Sequence, residues 1–395
     1  MTRHRTLRLL AVAATSTFSA AAFAVEPMDI KVAEGLALIP TLKLGAAYDD
    51  NFRAVEDKEE SSWISTIAPT LSLGGDNGKA KYDLSYTASH ELYHSSRKDD
   101  NTDHILAANA QFAFDARNRV RLNAGYRKME ETASADQQIE NDKYNTTNVG
   151  AGYTYGADSA TGQIRLGVSH DRLRYDNSYR FDDGSRLNAG KERDSTSYVG
   201  TFLYRVAPKT KALIEARHTQ HDYVSNKALD SNNNALLVGA EWEATAFTTG
   251  SVKLGRERKD FDLASKGDAS TGMWEVGVTW APLTYSTFSL NTRAGFDEGS
   301  DGADAIETQS TTLAWNHNWS QRVSSTVSYT RTDQDYDRPG NPREDNIDTF
   351  SVGVTYKLRR WLDVGIGYKH AENDSTQDGK SYKRNTYGVT LNASL

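Results

Sequence analysis

The strongest constraint on the fold is a two-residue alternation that runs through residues 383–395. One parity is apolar or aromatic: Tyr387, Val389, Leu391, Ala393 and Leu395. The other parity is small or polar: Thr386, Gly388, Thr390, Asn392 and Ser394. A period of two is that of a β-strand, in which successive side chains point to opposite faces. A closed sheet with an apolar outer face and a polar inner face is what a membrane β-barrel needs.

The same alternation recurs upstream and predicts about 18 strands over residues 39–395, each of roughly ten residues or more. The first of these strands starts at Ile39, with Leu44 on its apolar face and Lys43 on its polar face. Most later strands repeat this division. Residues 194–205 alternate poorly, and the sequence alone does not assign their faces.

The connections between these segments alternate between short turns and long polar loops. The Asn-Gly pair at residues 77–78 is a strong signal for a tight hairpin, whereas the longest loop lies near residues 176–193. We therefore predict an all-β fold: a transmembrane antiparallel up-and-down β-barrel with short periplasmic turns and long extracellular loops. The alternative is a soluble β-sandwich or propeller, which rarely keeps so regular a rhythm of turns and loops.

Composition agrees with a barrel better than with a dry globular core. Only 37% of the residues are hydrophobic, and the mean hydropathy is −0.66. A barrel explains this average because only half of each strand faces lipid. The net charge of −7 argues against a nucleic-acid partner, whose binding surface is usually basic. The sequence has no cysteine, which excludes disulfides and thiol chemistry.

The N-terminus has the features of a secretory signal peptide over residues 1–24. Arg3, Arg5 and Arg8 precede an apolar stretch, and an Ala-Phe-Ala cleavage site ends it at residue 24. Residues 25–38 are then a short periplasmic leader, and residues 39–395 form the barrel. This organisation predicts export to the outer membrane of a bacterial cell, with the lipid bilayer as the barrel's first partner.

Charged residues on the polar parity are predicted to line the pore, because they are costly to place against acyl chains. The predicted pore-lining set is Lys43, Arg119, Arg121, Arg127, Arg165, Glu215, Arg217, Glu241, Glu243, Lys253, Glu257, Glu275, Arg293, Lys357, Asp363 and Lys369. For each charge the competing interpretation is a salt bridge that only rigidifies the wall.

The sequence shows no motif for catalysis, a cofactor or a metal ion, and we predict that the protein is not an enzyme. The alternative is a barrel hydrolase that uses rim histidines, with His170, His218 and His221 near aspartates. A histidine beside an aspartate at a strand end is far more often a solvated rim residue.

Short motifs connect the chain to a known family. Residues 42–52 read LKLGAAYDDNF, and Gly-x-x-Tyr strand cores recur at residues 353–356 and 365–368. In these features the chain resembles the β-barrel porin 2 family of outer-membrane proteins. Leu395 departs from the terminal Phe that is common in such barrels. The resemblance implies an outer-membrane pore, often for capsule or exopolysaccharide export with periplasmic export proteins as partners.

The leading functional hypothesis is therefore a passive conduit that secretes an exopolysaccharide across the outer membrane. A general or solute-specific diffusion porin, which passes small hydrophilic solutes, is the first alternative. A barrel hydrolase and a surface adhesin are the other two. A polymer conduit needs polar side chains and weak contacts at many sites, so that its cargo slides.

Overall fold

The computed structural model describes residues 29–132, 140–243, 247–300, 302–337 and 342–394. The predicted signal peptide and Leu395 lie outside these residues. The strands are β1 Ile30–Ala33, β2 Leu36–Asp49, β3 Ser62–Asp76, β4 Ala80–Tyr93, β5 Asn101–Ala113, β6 Asn118–Glu131, β7 Asp142–Tyr155, β8 Gly162–Tyr175, β9 Arg193–Ala207, β10 Thr210–Tyr223, β11 Ser231–Trp242, β12 Thr248–Phe261, β13 Ala269–Leu283, β14 Ser286–Glu298, β15 Ala305–Asn318, β16 Val323–Asp337, β17 Arg343–Arg359, β18 Leu362–Ser375 and β19 Tyr382–Ser394.

Three short 3-10 helices complete the described part of the chain: Arg97–Asp99, Ala189–Lys191 and Lys227–Leu229. None of the described helices is long and apolar enough to cross a membrane.

The strands form one closed barrel. From β2 onward each strand pairs antiparallel with the next, and β19 pairs back to β2 from Thr386 opposite Asp49 to Ser394 opposite Thr41. The result is an 18-stranded up-and-down barrel with one extra strand, β1. The predicted fold class is confirmed. Closure matters physically because a barrel leaves no unpaired backbone edge in the bilayer.

The first barrel strand begins earlier than the sequence suggested. Its predicted start at Ile39 shifts to Leu36, because residues 36–38 pair with residues 73–75 of β3. Before it, β1 turns back through Gly35, which has a φ of 73°, and pairs with the start of β2. Glycine adopts this left-handed conformation without the steric cost that other residues meet.

The Asp49-Asp50-Asn51 motif fastens the first barrel strand to the last. The carboxylate of Asp49, which is fully buried, accepts hydrogen bonds from Arg384 Nε at 2.7 Å and Thr386 Oγ1 at 3.0 Å. The side-chain amide of Asn51 donates to the carbonyl of Lys383 at 2.9 Å. These bonds lie at the loop-side end of the β2–β19 pairing and give this motif a structural role in closing the barrel.

Short turns gather at one end of the barrel and long loops at the other. In the turn after β3, the side-chain oxygen of Asn77 accepts from the backbone N–H groups of Lys79 and Ala80, while Gly78 takes a φ of 83°. The end with the short turns also holds the start of β2 and the end of β19. In outer-membrane barrels this end faces the periplasm and the long loops face outside.

The two faces of the wall differ as the alternation predicts. Large apolar side chains on the outer face stay exposed, for example Leu236 at 61% and Ile366 at 59%. Rings cluster at its two edges: Trp280, Phe288 and Trp315 stack with centroids 5.3 and 6.0 Å apart near the short turns. Such belts lie at the headgroup level of a bilayer.

The structure also assigns the faces of β9. Tyr198, Phe202 and Tyr204 point outward, whereas Leu203 points inward and is completely buried. The alternation fails here because apolar residues occupy both parities. Leu203 lies opposite Leu213 in the register of β9 and β10, which explains a buried apolar side chain on the lumen side.

Candidate functional site

The inner face of β10, β12 and β13 carries a network of four predicted pore-lining charges. Arg217 donates two hydrogen bonds to Glu275, at 2.6 and 2.8 Å, and a third from Nε to Glu215 at 2.7 Å. Lys253 Nζ reaches Glu215 at 3.0 Å and Glu275 at 3.4 Å. Two cations therefore neutralise two carboxylates, and this part of the wall presents little net charge to the lumen.

A second predicted pair crosses the inner surface rather than joining neighbouring strands. Arg165 on β8 donates two hydrogen bonds to Glu241 on β11, at 2.7 and 2.8 Å. The two strands are separated by β9 and β10, so the pair lies over the inward side of those strands. Parallel bonds between a guanidinium and a carboxylate hold both side chains in a defined geometry.

Two predicted lining residues lie at the periplasmic mouth. Glu243 follows the end of β11 and is exposed. Arg119 donates to Asp158 at 2.6 Å and to the carbonyl of Gly156 at 2.9 Å, in the turn after β7. Partial burial opposes ionisation of Asp158, but the hydrogen bond and charge of Arg119 outweigh it, so the pKa of this carboxyl is lowered.

The opposite side of the lumen, from β17 round to β6, carries the remaining predicted cations. Its predicted lining cations are Lys43, Arg121, Arg127, Lys357 and Lys369. Within the described part of the chain, none of them forms a salt bridge, and Arg121 and Arg127 are exposed. Asp363 is buried on the same face, opposite Lys357 in the register of β17 and β18. Four carboxylates have the same inward parity on these strands: Asp83 and Glu91 of β4, Asp103 of β5 and Glu131 of β6. This side of the lumen therefore also holds charges of both signs.

Beside these cations, the inner faces of β15–β17 form a stripe of hydroxyl side chains, which we call the hydroxyl stripe. Its members are Ser310, Thr312, Ser324, Thr326, Ser328, Thr330, Thr332, Thr349, Ser351 and Thr355. Cross-strand hydroxyl bonds join Ser310 to Thr332 at 3.0 Å and Thr312 to Thr330 at 2.9 Å. The stripe is a neutral surface that can both donate and accept hydrogen bonds.

The two remaining predicted residues, Glu257 and Arg293, line a lumenal chamber of about 440 Å³. Its other walls are Arg193, Thr219, His221, Asn233, Phe296, Asp297 and Glu298. Glu257 accepts from Asn233 at 3.0 Å, and Arg293 pairs with Asp297 at 3.2 Å. The chamber therefore holds charges of both signs and one aromatic ring.

Glu298 is the most heavily bonded side chain of this chamber, and the sequence did not reveal it. One oxygen accepts from Lys259 Nζ at 2.7 Å and lies 3.0 Å from His221 Nε2. The other accepts from the hydroxyl of Tyr223 at 2.8 Å. Lys259 could have been found by extending the alternation of β12 from Glu257. Glu298 could not be found in this way, because side chains of its parity face lipid nearer the periplasmic end of β14.

The three histidines of the hydrolase alternative are not brought together. His170 contacts Thr196, and His218 contacts Asn234, both on the outer parity of their strands. Only His221 points inward, where Nδ1 lies 2.8 Å from Ser195 Oγ and Nε2 faces Glu298. This Ser–His–Glu sequence of contacts resembles a nucleophile and its base. Ser195 is not among the residues that line the chamber, however, and the same carboxylate also binds Lys259 and Tyr223.

The closed wall, apolar outside and polar inside, defines an outer-membrane β-barrel of the porin type. Residues 35–395 match the family described as "Putative beta-barrel porin 2", and the chain belongs to this family. The resemblance in residues 42–52 is thereby confirmed, as is the outer membrane as its location. No curated protein matches the sequence.

Solved structures with a similar fold come from outer-membrane proteins. OpdK of Pseudomonas aeruginosa, solved with vanillate, is 11% identical over 91% of this chain and 99% of that chain, with a TM-score of 0.50. OccK2 (OpdF) of the same organism is 12% identical over 92% of this chain and 98% of that chain, with a TM-score of 0.49. OccAB2 of Acinetobacter baumannii is 12% identical over 91% of this chain and 98% of that chain, with a TM-score of 0.47. At such identities the similarity concerns the fold alone.

Proposed function

We propose that this porin-like channel is a passive conduit for an exopolysaccharide that leaves the cell across the outer membrane. The observation that supports this most is the hydroxyl stripe on β15–β17. Polymer transport requires contacts that are individually weak and repeated along the path, because tight binding at one site would stop the chain. Neutral hydroxyls in adjacent rows offer such contacts to a hydroxyl-rich polymer.

Two exposed arginines on the inner face of β6 suggest which polymers fit best. Exposed Arg121 and Arg127 can pair with carboxylate groups of a polymer. Neither arginine forms a salt bridge with a described residue of the wall, so no such pair has to be broken first. A polysaccharide with acidic sugars would meet the hydroxyl stripe on β15–β17 and the two exposed arginines of β6 along the same passage. Periplasmic export proteins would deliver it to the short-turn end of the barrel.

Deletion of the gene tests the proposal directly. We expect loss of surface polysaccharide, with unexported polymer retained in the periplasm, and rescue by the wild-type gene. A matched measurement uses the purified barrel in planar bilayers, where acidic oligosaccharides should interrupt the ionic current more often than neutral ones of equal length. Unchanged surface polysaccharide in the deletion strain would reject polymer export.

A diffusion porin for small hydrophilic solutes is the second candidate, and the lumenal chamber favours it. A chamber of about 440 Å³ with charges of both signs is of the size that holds a small molecule rather than a polymer. Liposome swelling separates the two candidates. Rapid entry of mono- and disaccharides, together with normal polysaccharide export in the deletion strain, would support the porin.

Transport as proposed involves no covalent chemistry. The contact of Ser195 with His221 is the feature that could contradict this, because a hydroxyl beside an imidazole can act as a nucleophile. The Ser195→Ala variant should therefore conduct and export like the wild type. Loss of function in this variant, with an intact barrel, would instead favour a hydrolase.

A further inference from the structure

The loop-side end of β14 leaves the barrel wall. Pairing between β13 and β14 stops at Trp274 opposite Ala294, although β13 continues to pair with β12 as far as Ala269. Residues 295–298 of β14 stay paired with β15, up to Glu298 opposite Ala305. The loop-side end of the β14–β15 hairpin therefore diverges from β13 while its own two strands stay paired. We call its end, residues 295–300 and 302–307, the inner hairpin.

The contacts of the inner hairpin show that it is bent into the lumen. Glu298 and Glu307 lie on the outward parities of β14 and β15, yet they bond with inward side chains of the wall. Glu298 binds Lys259 of β12, and Glu307 accepts from Thr271 of β13 at 3.1 Å. The hairpin thus lies inside the wall, with its outward face against the inner face of β10–β13.

Local chemistry compensates for the pairing that β14 gives up. The backbone N–H of Phe296 donates to Glu257 Oε2 at 3.0 Å, so a side chain of β12 replaces the missing strand partner. A buried N–H without any acceptor would destabilise this conformation. Gly295 permits the approach, since a Cβ there would lie only 3.0 Å from the same carboxylate oxygen.

Glu298 attaches the inner hairpin to the wall through buried partners. Lys259 and Tyr223 are fully buried, and the side chain of Glu298 is 10% exposed. Removing one member of such a buried charged group leaves the others without compensation. A second attachment lies in the loops, where Lys266 pairs with Asp304.

The other side of the inner hairpin is packed, so the hairpin is not a loose loop. Ala303, Ile306 and Tyr336 form a buried apolar cluster. The guanidinium of Arg343 on β17 lies 4.5 Å from the ring centroid of Tyr336. Attachment on both sides holds residues 295–298 across part of the lumen. Beside them lies the chamber that Arg193, Arg293 and Phe296 line.

We infer that the inner hairpin is the constriction that selects what passes through this channel, and that Glu298 holds it in place. The inference rests on the channel function but not on the identity of the cargo. In this arrangement Asp297 and Arg293 face the narrowed passage and act on passing ions. Release of Glu298 would let the hairpin move off the inner face of β10–β13, which would widen the passage.

The first test compares two isosteric variants in planar bilayers. Glu298→Gln removes the charge that pairs with Lys259, and Glu344→Gln removes an exposed carboxylate at the rim of β17. We expect a rise in unitary conductance and a loss of ion selectivity for Glu298→Gln, and wild-type behaviour for the control. Equal currents in all three proteins would overturn the constriction. Absence of current from both the wild type and Glu298→Gln would instead refute the channel itself.

The second test does not depend on how Glu298→Gln folds. The sequence contains no cysteine, so Asp297→Cys and Glu344→Cys each provide a single labelling site. A charged thiol reagent added to the open channel should reduce the current through Asp297→Cys and leave that through Glu344→Cys unchanged. Complete labelling of Asp297→Cys, verified by mass, without a change in current would place residue 297 outside the constriction and refute the inference.

Discussion

Replacement of Arg217 by Met should destabilise the barrel measurably. Arg217 donates three hydrogen bonds to two carboxylates, Glu215 and Glu275. A hydrogen bond to a charged group contributes about 1.5–3 kcal/mol, and such values do not add in one network. Met keeps much of the volume of the Arg side chain and removes only its charge and its donors.

The exposure of the partners sets the expected magnitude. Arg217 is 22% exposed and Glu275 is 36% exposed, so water in the lumen screens their pair. Glu215 is only 5% exposed but retains Lys253 at 3.0 Å. We therefore expect Arg217→Met to lower the free energy of unfolding by about 2 kcal/mol, well below the 3–5 kcal/mol or so of a fully buried pair.

The assay is urea unfolding in lipid vesicles, followed by tryptophan fluorescence. Arg121→Met is the matched control, because Arg121 is exposed on the inner face and forms no salt bridge with any described residue. Its effect should stay within about 0.5 kcal/mol. A double-mutant cycle with Glu275→Gln should give a coupling energy of about 1 kcal/mol. Equal losses in the two single Arg variants, or zero coupling, would show that the network does not stabilise the wall.

Three further outcomes follow from the two faces of the wall and its turns. Arg121→Gln combined with Arg127→Gln should shift the reversal potential toward cation selectivity, whereas Arg256→Gln on the outer parity should leave it unchanged. No shift in the double variant would show that these two arginines do not act on passing ions. Leu236→Arg should lower the stability of the barrel by about 2–4 kcal/mol, because residue 236 faces acyl chains. Leu263→Arg, in a loop, should be tolerated, and equal effects of the two substitutions would contradict the bilayer placement. Gly78→Ala should lower the free energy of unfolding by about 1 kcal/mol, because φ at residue 78 is 83°. Gly190→Ala, which meets no such strain, should leave it unchanged, and equal midpoints of unfolding would refute the strain argument.

The motif in residues 42–52 shows how far a short sequence pattern can be interpreted. The Asp-Asp-Asn segment pointed to the family, and the family is confirmed. Its physical role became visible only when Arg384, Thr386 and Lys383 of the last strand were found on it. Such long-range bonds leave no local signal, because the partners are more than 330 residues apart.

The period of two determined, from the sequence alone, that this chain forms a barrel with lipid outside and water inside. That inference needs only the geometry of a strand, in which parity decides the face. The tertiary structure decided where parity fails. Leu203 points into the lumen because apolar residues occupy both parities of β9. Glu298 has the parity of a lipid-facing residue, yet it binds Lys259 inside the pore because the end of β14 leaves the wall.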